Sequence, residues 1–505
     1  MKLRYGILAL GILFAVACDP VDSPTPPDDS PVIGGDSISV DNDTTIILPD
    51  DPVVADSLGV AAMDIVFNVA DETAYGEAKE EIVDNNQLDA YGDFIENFTK
   101  SPTTVTITFS EGGASWGAVP SGMSIKRTNA HVEITSEQSG VQYLLKGSTS
   151  NGSFKLSSEK KSLITLGGAS ITNPTGAAIN IQSGKTVLVQ LANGTTNTLE
   201  GSSVESSGDE QQKGAFFSEG QLIFSGGGSL TVKSNAGHGI ASDDYVRIRE
   251  GVIDIHSADD GIKAKDCFIM YGGTVNVVAQ GDGLDVGEGY IEIGGGHLTV
   301  NAVDEGVTAS YEGGSSGGID PRIDIRGGFI KVATTGDKGH ALRAMSTLSM
   351  SGGSIVQAFT RGAGSKALLS EGDMSLVNSK VTAITEGDAL YEAKDGELSS
   401  SAALRSKGKL TLRNMVVGLK STGAGSKGIN NVGDVVLEDT KLKVVATGED
   451  YIYGDKSARP YGITTDGAFS ASGDTLLIKT TRMPIKAASE QIADDVVYVS
   501  VTLEE

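Results

Sequence analysis

Along residues 239–306 apolar and polar positions alternate with period two, and the alternation itself recurs. Gly239–Gly261, Gly261–Gly283 and Gly283–Gly306 are versions of one pattern, stepping by 22, 22 and 23 residues. Val246, Ile248, Ile253 and Ile255 hold the inward positions of the first version. Phe268, Met270, Val275 and Val277 hold them in the second, and Ile291, Ile293, Leu298 and Val300 in the third. Between them fall Arg247, Asp254, Asn276, Glu292 and Thr299, which are expected to face solvent, as when a strand buries one face. Each repeat predicts two strands joined by a glycine turn, Gly272-Gly273 or Gly294-Gly295-Gly296, where freedom at positive φ permits a tight reversal. A fixed period of this size predicts a solenoid, with each coil bonded to the next at about 4.8 Å.

Weaker copies of the pattern flank this block, from Gly220 upstream to the run Asp434–Asp450 downstream. A coil from 140 to roughly 490 makes about 15 turns of about 22–24 residues. Two corners are lengthened, after Tyr311 and after Tyr391, and inserted loops of this kind commonly gather on the binding face of a solenoid. Residues 53–140 do not keep the period. Candidate helices near 77–83 and 90–97 and a strand at Thr103–Ser110 mark them as a small N-terminal cap region, since an exposed terminal coil needs covering. The run Asp494–Leu503 predicts closing strands.

The N-terminus and the composition set the context. Lys2 and Arg4 precede an apolar run, Ile7–Ala17, too short to cross a bilayer, which ends at Ala15-Val16-Ala17-Cys18. This resembles a bacterial lipobox: residues 1–17 read as a lipoprotein signal peptide, with Cys18 the lipidated residue. Residues 18–52, rich in Pro and Asp, read as a disordered tether, and residues 141–505 as the solenoid domain. Together they place the protein in the bacterial cell envelope, lipid-anchored at the outer membrane or cell surface, as a monomer. The second cysteine, Cys267, sits in an apolar run and reads as a small buried hydrophobe; no disulfide or cysteine metal site is available. A net charge of −27 argues against nucleic acid as a partner and suits hard cations.

The acid is not evenly spread. Asp260, Asp282 and Glu305 fall in one column of the repeat, with Asp243, Asp244, Asp259, Asp285 and Asp304 close by. Carboxylates about 5 Å apart repel by about 1 kcal/mol in water and about 3 kcal/mol at an effective dielectric near 20. Calcium (Ca2+) relieves this with six to eight oxygen ligands, and no His/Cys constellation invites a softer metal; His238 reads as a turn residue. Lys263 and Lys265 stand beside the acid. They are candidates to neutralise it, to hold a sugar carboxylate, or to act as the base of a lyase. Salt bridging is favoured, because nearby carboxylates stabilise the charged ammonium. Arg247 is a further candidate for a sugar carboxylate, and Tyr311 and Tyr391 are candidate stacking faces for sugar rings. No catalytic residue is assigned.

Within residues 141–201, three stretches, Gly168–Asn173, Gly176–Ile179 and Asn193–Leu199, resemble the lead-in segment of the bacterial carbohydrate-binding domain-containing β-helix proteins. The Gly-Gly coils and Asp-Gly corners extend the resemblance well to about Asp388 and loosely beyond. Ala177 departs from the proline usual in the family. The resemblance implies an all-β, right-handed parallel β-helix (a single-stranded solenoid) like that of pectate lyases, bound calcium, and attachment to acidic polysaccharide. Three functions stay open: a lipid-anchored, calcium-dependent protein binding uronate-containing polysaccharide, a calcium-dependent polysaccharide lyase, or a structural adhesin.

Overall fold

The computed structural model describes residues 102–202, 210–311 and 318–503, together with Gly76 and Gly313. Among them there is no helix, and every regular element is a strand. The lipobox with Cys18, the tether and both candidate helices lie outside the described residues.

The fold is an all-β parallel β-helix. One coil comprises His238–Ser242, Tyr245–Ile248 and Val252–Ser257. The next comprises Ile262–Ala264, Cys267–Met270 and Thr274–Ala279, and the third Leu284–Val286, Tyr290–Ile293 and His297–Ala302. Equivalent strands pair in parallel and in register. Ile240, Ile262, Leu284 and Val307 stack on the first face, Phe268 on Ile291 on the second, and Val275 on Leu298 on the third. The coil therefore has three faces where alternation predicted two strands. The first-face strand Ile262–Ala264 carries only two inward side chains, too few to show a period.

The expected inward residues form one continuous core and are essentially solvent-free. Two of the expected outward ones are also buried: Arg247 is 2 % exposed and Glu292 5 %. Their column on the second face runs Ile223, Arg247, Ile269, Glu292, Asp324. A separate apolar cluster of Leu163, Leu188, Ile223, Tyr245, Cys267 and Ile269 lies there. Alternation thus placed these side chains on the outer side correctly, but that side is itself largely covered, and their burial was not expected. Cys267 is buried as expected, and burial pushes its thiol up to about 12.

Turns and close approaches explain the glycines. Between the second and third faces the chain turns through positive φ, at Gly273 (76°) and Gly296 (84°), and in later coils at Asn378 (50°), Asn414 (50°) and Asp439 (51°). Short polar side chains tolerate this region best after glycine. At the corner before the first face, a Cβ on Gly283 would lie 2.0 Å from Val300 Cγ1 and 2.5 Å from the Gly306 carbonyl oxygen. Only glycine lets the coils close there.

The N-terminal strands are part of this stack. Thr103–Ser110 pairs in parallel with Val141–Thr149, and Ala130–Ser136 with Gly152–Ser158. At the other end Val497–Thr502 pairs with Thr475–Thr480 as the last rung. Two antiparallel hairpins are inserted at the corner before the first face, Leu390–Glu392 with Glu397–Ser399 and Tyr451–Tyr453 with Lys456–Ala458. The second had no counterpart in the sequence reading. The two are joined by Tyr391 and Tyr453, whose rings stack 4.0 Å apart at 14°.

Candidate functional site

The acidic column forms as a ladder. The Asp282 amide donates to Asp260 Oδ1 at 2.9 Å, and the Glu305 amide donates to Asp282 Oδ1 at 2.9 Å. Asp260 and Asp282 thus each spend one oxygen on the next coil, while the other oxygen of Asp260 faces His238 and Lys263 and Glu305 lies 3.4 Å from Arg343. Asp260 is 7 % exposed. Burial, then Glu305 and Asp260, push the Asp282 carboxyl up to about 8. His238 heads the column, with Nδ1 3.4 Å from Asp259 Oδ2 and 3.4 Å from Asp260 Oδ2. Ligand atoms of these three residues lie within 4.8 Å of one another. Burial pushes the His238 imidazole below its ordinary value, against the pull of Asp260 and Asp259. Asp304 stands exposed beside the ladder.

Next to the ladder, on the outer side of the first face, Ala241, Lys263, Asp285 and Thr308 stack in register. Lys263 bonds Asp285 and lies 3.5 Å from Asp260 Oδ2. Asp285 is 7 % exposed, and its Oδ1 is buried without a hydrogen-bond partner among the described residues. The far corner of this face holds a different set of acids. Asp243 pairs with Lys213, Asp244 accepts from Gln221, and Lys265 lies 3.6 Å from Glu288. Burial and then Asp266 raise the carboxyl of Asp244, whose Oδ1 is also unpartnered among the described residues. A cavity of about 750 Å3 spans the face, bordered by Lys213, His238, Asp243, Lys263, Asp285 and Tyr311.

The eight acids expected to bind calcium therefore divide. Asp259, Asp260, Asp282, Asp304 and Glu305 lie at one corner, Asp285 on the face, and Asp243 and Asp244 at the other corner. Tyr311 lines the cavity and bridges Glu288 in antiparallel fashion. Tyr391 belongs to the hairpin pair further along the axis. Arg247, being buried on another face, does not reach this surface; that expectation is corrected. His238, read as a turn residue, instead joins Asp259 and Asp260, and Lys213 was missed, because a lysine after a polar stretch carries no spacing signal.

The ladder fits a hard cation. Its donors are carboxylate oxygens with one imidazole, and the raised Asp282 carboxyl marks a place where positive charge would be favoured. Asp259, Asp260 and His238, whose ligand atoms gather within 4.8 Å, would hold the ion at the head of the ladder, and its chemistry there would be charge neutralisation and acceptance of a sugar oxygen.

A family model described as carbohydrate-binding domain-containing protein matches residues 128–422. The chain belongs to this family. A carbohydrate-binding domain-containing protein of Acetivibrio thermocellus is 29 % identical over 118 residues, which cover 22 % of this chain and 41 % of that relative. The match thus spans about two-fifths of the relative's length. A solved structure described as the polysaccharide lyase-like protein from C. thermocellum, gadolinium derivative, aligns at 21 % identity with a TM-score of 0.41, covering 54 % of this chain and 97 % of that one. The family match includes every coil of the ladder and the cavity.

Proposed function

We propose that this carbohydrate-binding family member holds acidic, uronate-containing polysaccharide at the first face around Asp260–Glu305, with calcium completing the site, and is displayed at the cell envelope from a lipid on Cys18. The observation that carries the reading is the ladder itself, in which a carboxyl raised to about 8 stands between two others and beside a cavity large enough for sugar residues. A cation that replaces the proton leaves coordination positions toward the cavity, where a sugar carboxylate or hydroxyl can enter. Lys263 is engaged by Asp285 and Asp260, an arrangement suited to holding charge in place. Binding without cleavage is the reading this favours. A glycan array probed with and without calcium tests it: acidic glycans should be retained with calcium, and the Asp260→Asn/Asp282→Asn variant should lose that retention. Equal retention by the variant, or no response to calcium, refutes the reading.

A further inference from the structure

The corner column that is acidic at Asp260, Asp282 and Glu305 changes sign as it continues along the axis. In register it proceeds to His340 and then Lys366, whose backbone amide donates to His340 Nδ1 at 3.0 Å. Lys366 pairs with Ala402, and Ala402 with Lys427. The adjacent column on the outer side of the first face changes in the same way, from Asp285 through Thr308 to Arg343, Leu369 and Arg405. Arg343 marks the junction, 3.4 Å from Glu305 Oε1. At about 4.8 Å per coil, Lys366 lies about 19 Å from Asp260 along the axis and Lys427 about 29 Å.

We propose that these later coils hold a second, calcium-independent subsite, in which Arg405 and Lys427, backed by the buried Lys366, take the anionic substituent of a saccharide beside the Tyr391–Tyr453 stack. The inference rests on the reading of this chain as a binder of acidic glycan. Three cations stand together here, and none has an ion-pair partner among the described residues. The Lys366 ammonium is satisfied only by neutral acceptors, the Gly364 carbonyl at 2.6 Å and Ser399 Oγ at 2.7 Å. Lys427 donates to Ser400 Oγ at 2.5 Å. The Arg405 guanidinium makes no hydrogen bond among the described residues. Ser399 and Ser400 lie at the root of the first hairpin, so the cations lie at the foot of the tyrosine stack. On the second hairpin Ile452 and Tyr453 are 71 % and 50 % exposed.

The crowding has an electrostatic signature. Burial, then Arg405, with Lys338 and Lys427 adding and Glu392 opposing, lowers Lys366 to about 7. Burial, then Arg405 and Lys486, lowers Lys427 to about 8. Arg405 is itself lowered by burial, with Glu371 and Asp466 pulling the other way. An anion relieves this repulsion, so its binding takes up protons and weakens as pH rises through this range.

Calorimetric titration of the full chain in EDTA tests the proposal, using a galacturonate oligomer and a neutral glucose oligomer of equal length. The acidic oligomer should bind and the neutral one should not. Arg405→Gln/Lys427→Gln should weaken binding about tenfold or more, the loss expected for a charge-assisted contact, while Asp260→Asn/Asp282→Asn leaves it intact. Should the double variant melt early, the exposed Lys486→Gln is the substitute and should weaken binding several-fold. Binding that EDTA removes entirely overturns this subsite and leaves the calcium corner standing. EDTA-resistant binding unchanged in the Arg405 and Lys427 variants, or in Lys486→Gln, also overturns it. Loss of all binding in those variants, with none in the aspartate variant and no calcium effect, supports this subsite and overturns the corner.

Discussion

Raising the pH in the absence of divalent cation should weaken the coils around Asp282. In the unfolded chain this carboxyl titrates at about 3.9, whereas in the folded ladder it titrates at about 8. Between these values the folded state binds a proton that the unfolded state does not, so stability falls as pH rises. The contribution is complete below the unfolded value and is gone once pH passes about 8. At about 1.4 kcal/mol per unit, one isolated group would account for about 6 kcal/mol; sharing the proton with Asp260 and Glu305, and partial exposure, reduce this to about 2–3 kcal/mol. Asp282→Asn retains the acceptor for the Glu305 amide and removes the titration. Urea unfolding in EDTA between about pH 5 and pH 9 should show the loss in the native chain, and excess calcium should abolish it. The variant should show neither effect. A native chain indifferent to pH in EDTA, or a variant with the same slope, refutes the argument.

Other perturbations follow from the same geometry. Gly283→Ala places a Cβ against Val300 and the Gly306 carbonyl and should cost about 1–3 kcal/mol in thermal or urea unfolding. Phe268→Ala, in the solvent-free core, should cost about 3–5 kcal/mol by the same measurement. Tyr391→Ala removes the contact with Tyr453 and should loosen both hairpins, read as faster limited proteolysis at residues 390–399 and 451–458, with the coils unchanged. Cys18→Ser should move the protein from the membrane fraction to the soluble one. With a galacturonate polymer and calcium, the native chain should bind without any rise in the absorbance of unsaturated product.

The coil was legible because its two longer faces each repeat apolar side chains at period two, and because Gly239, Gly261, Gly283 and Gly306 recur where no Cβ fits. The acid ladder was legible for the same reason, being locked to those glycines. Arg247 lies on the outer side as the alternation predicts, but its burial was missed because Tyr245, Cys267 and Ile269 form an apolar cluster outside the core, a feature that a one-sided alternation rule cannot express. The hairpin at Tyr451–Ala458 escaped because it is a local antiparallel pair with no period of its own. The change of sign from Asp260 to Lys366 needed register. Coils of unequal length stand between them, and only the strand pairing aligns His340 and Lys366 with the acid.

Strand pairing also decides how the body answers a pull. Each coil is held to its neighbours by three parallel ladders, and on the first face a coil bonds only to the one before and the one after. When tension is applied between the N-terminal strands and a polymer seated at the cavity, the rungs between Thr103 and Val307 transmit it in series. The rungs beyond Val307 feel none. Rupture is then set by the weakest coil-to-coil junction in that stretch, and lengthening the rod adds reach without adding strength.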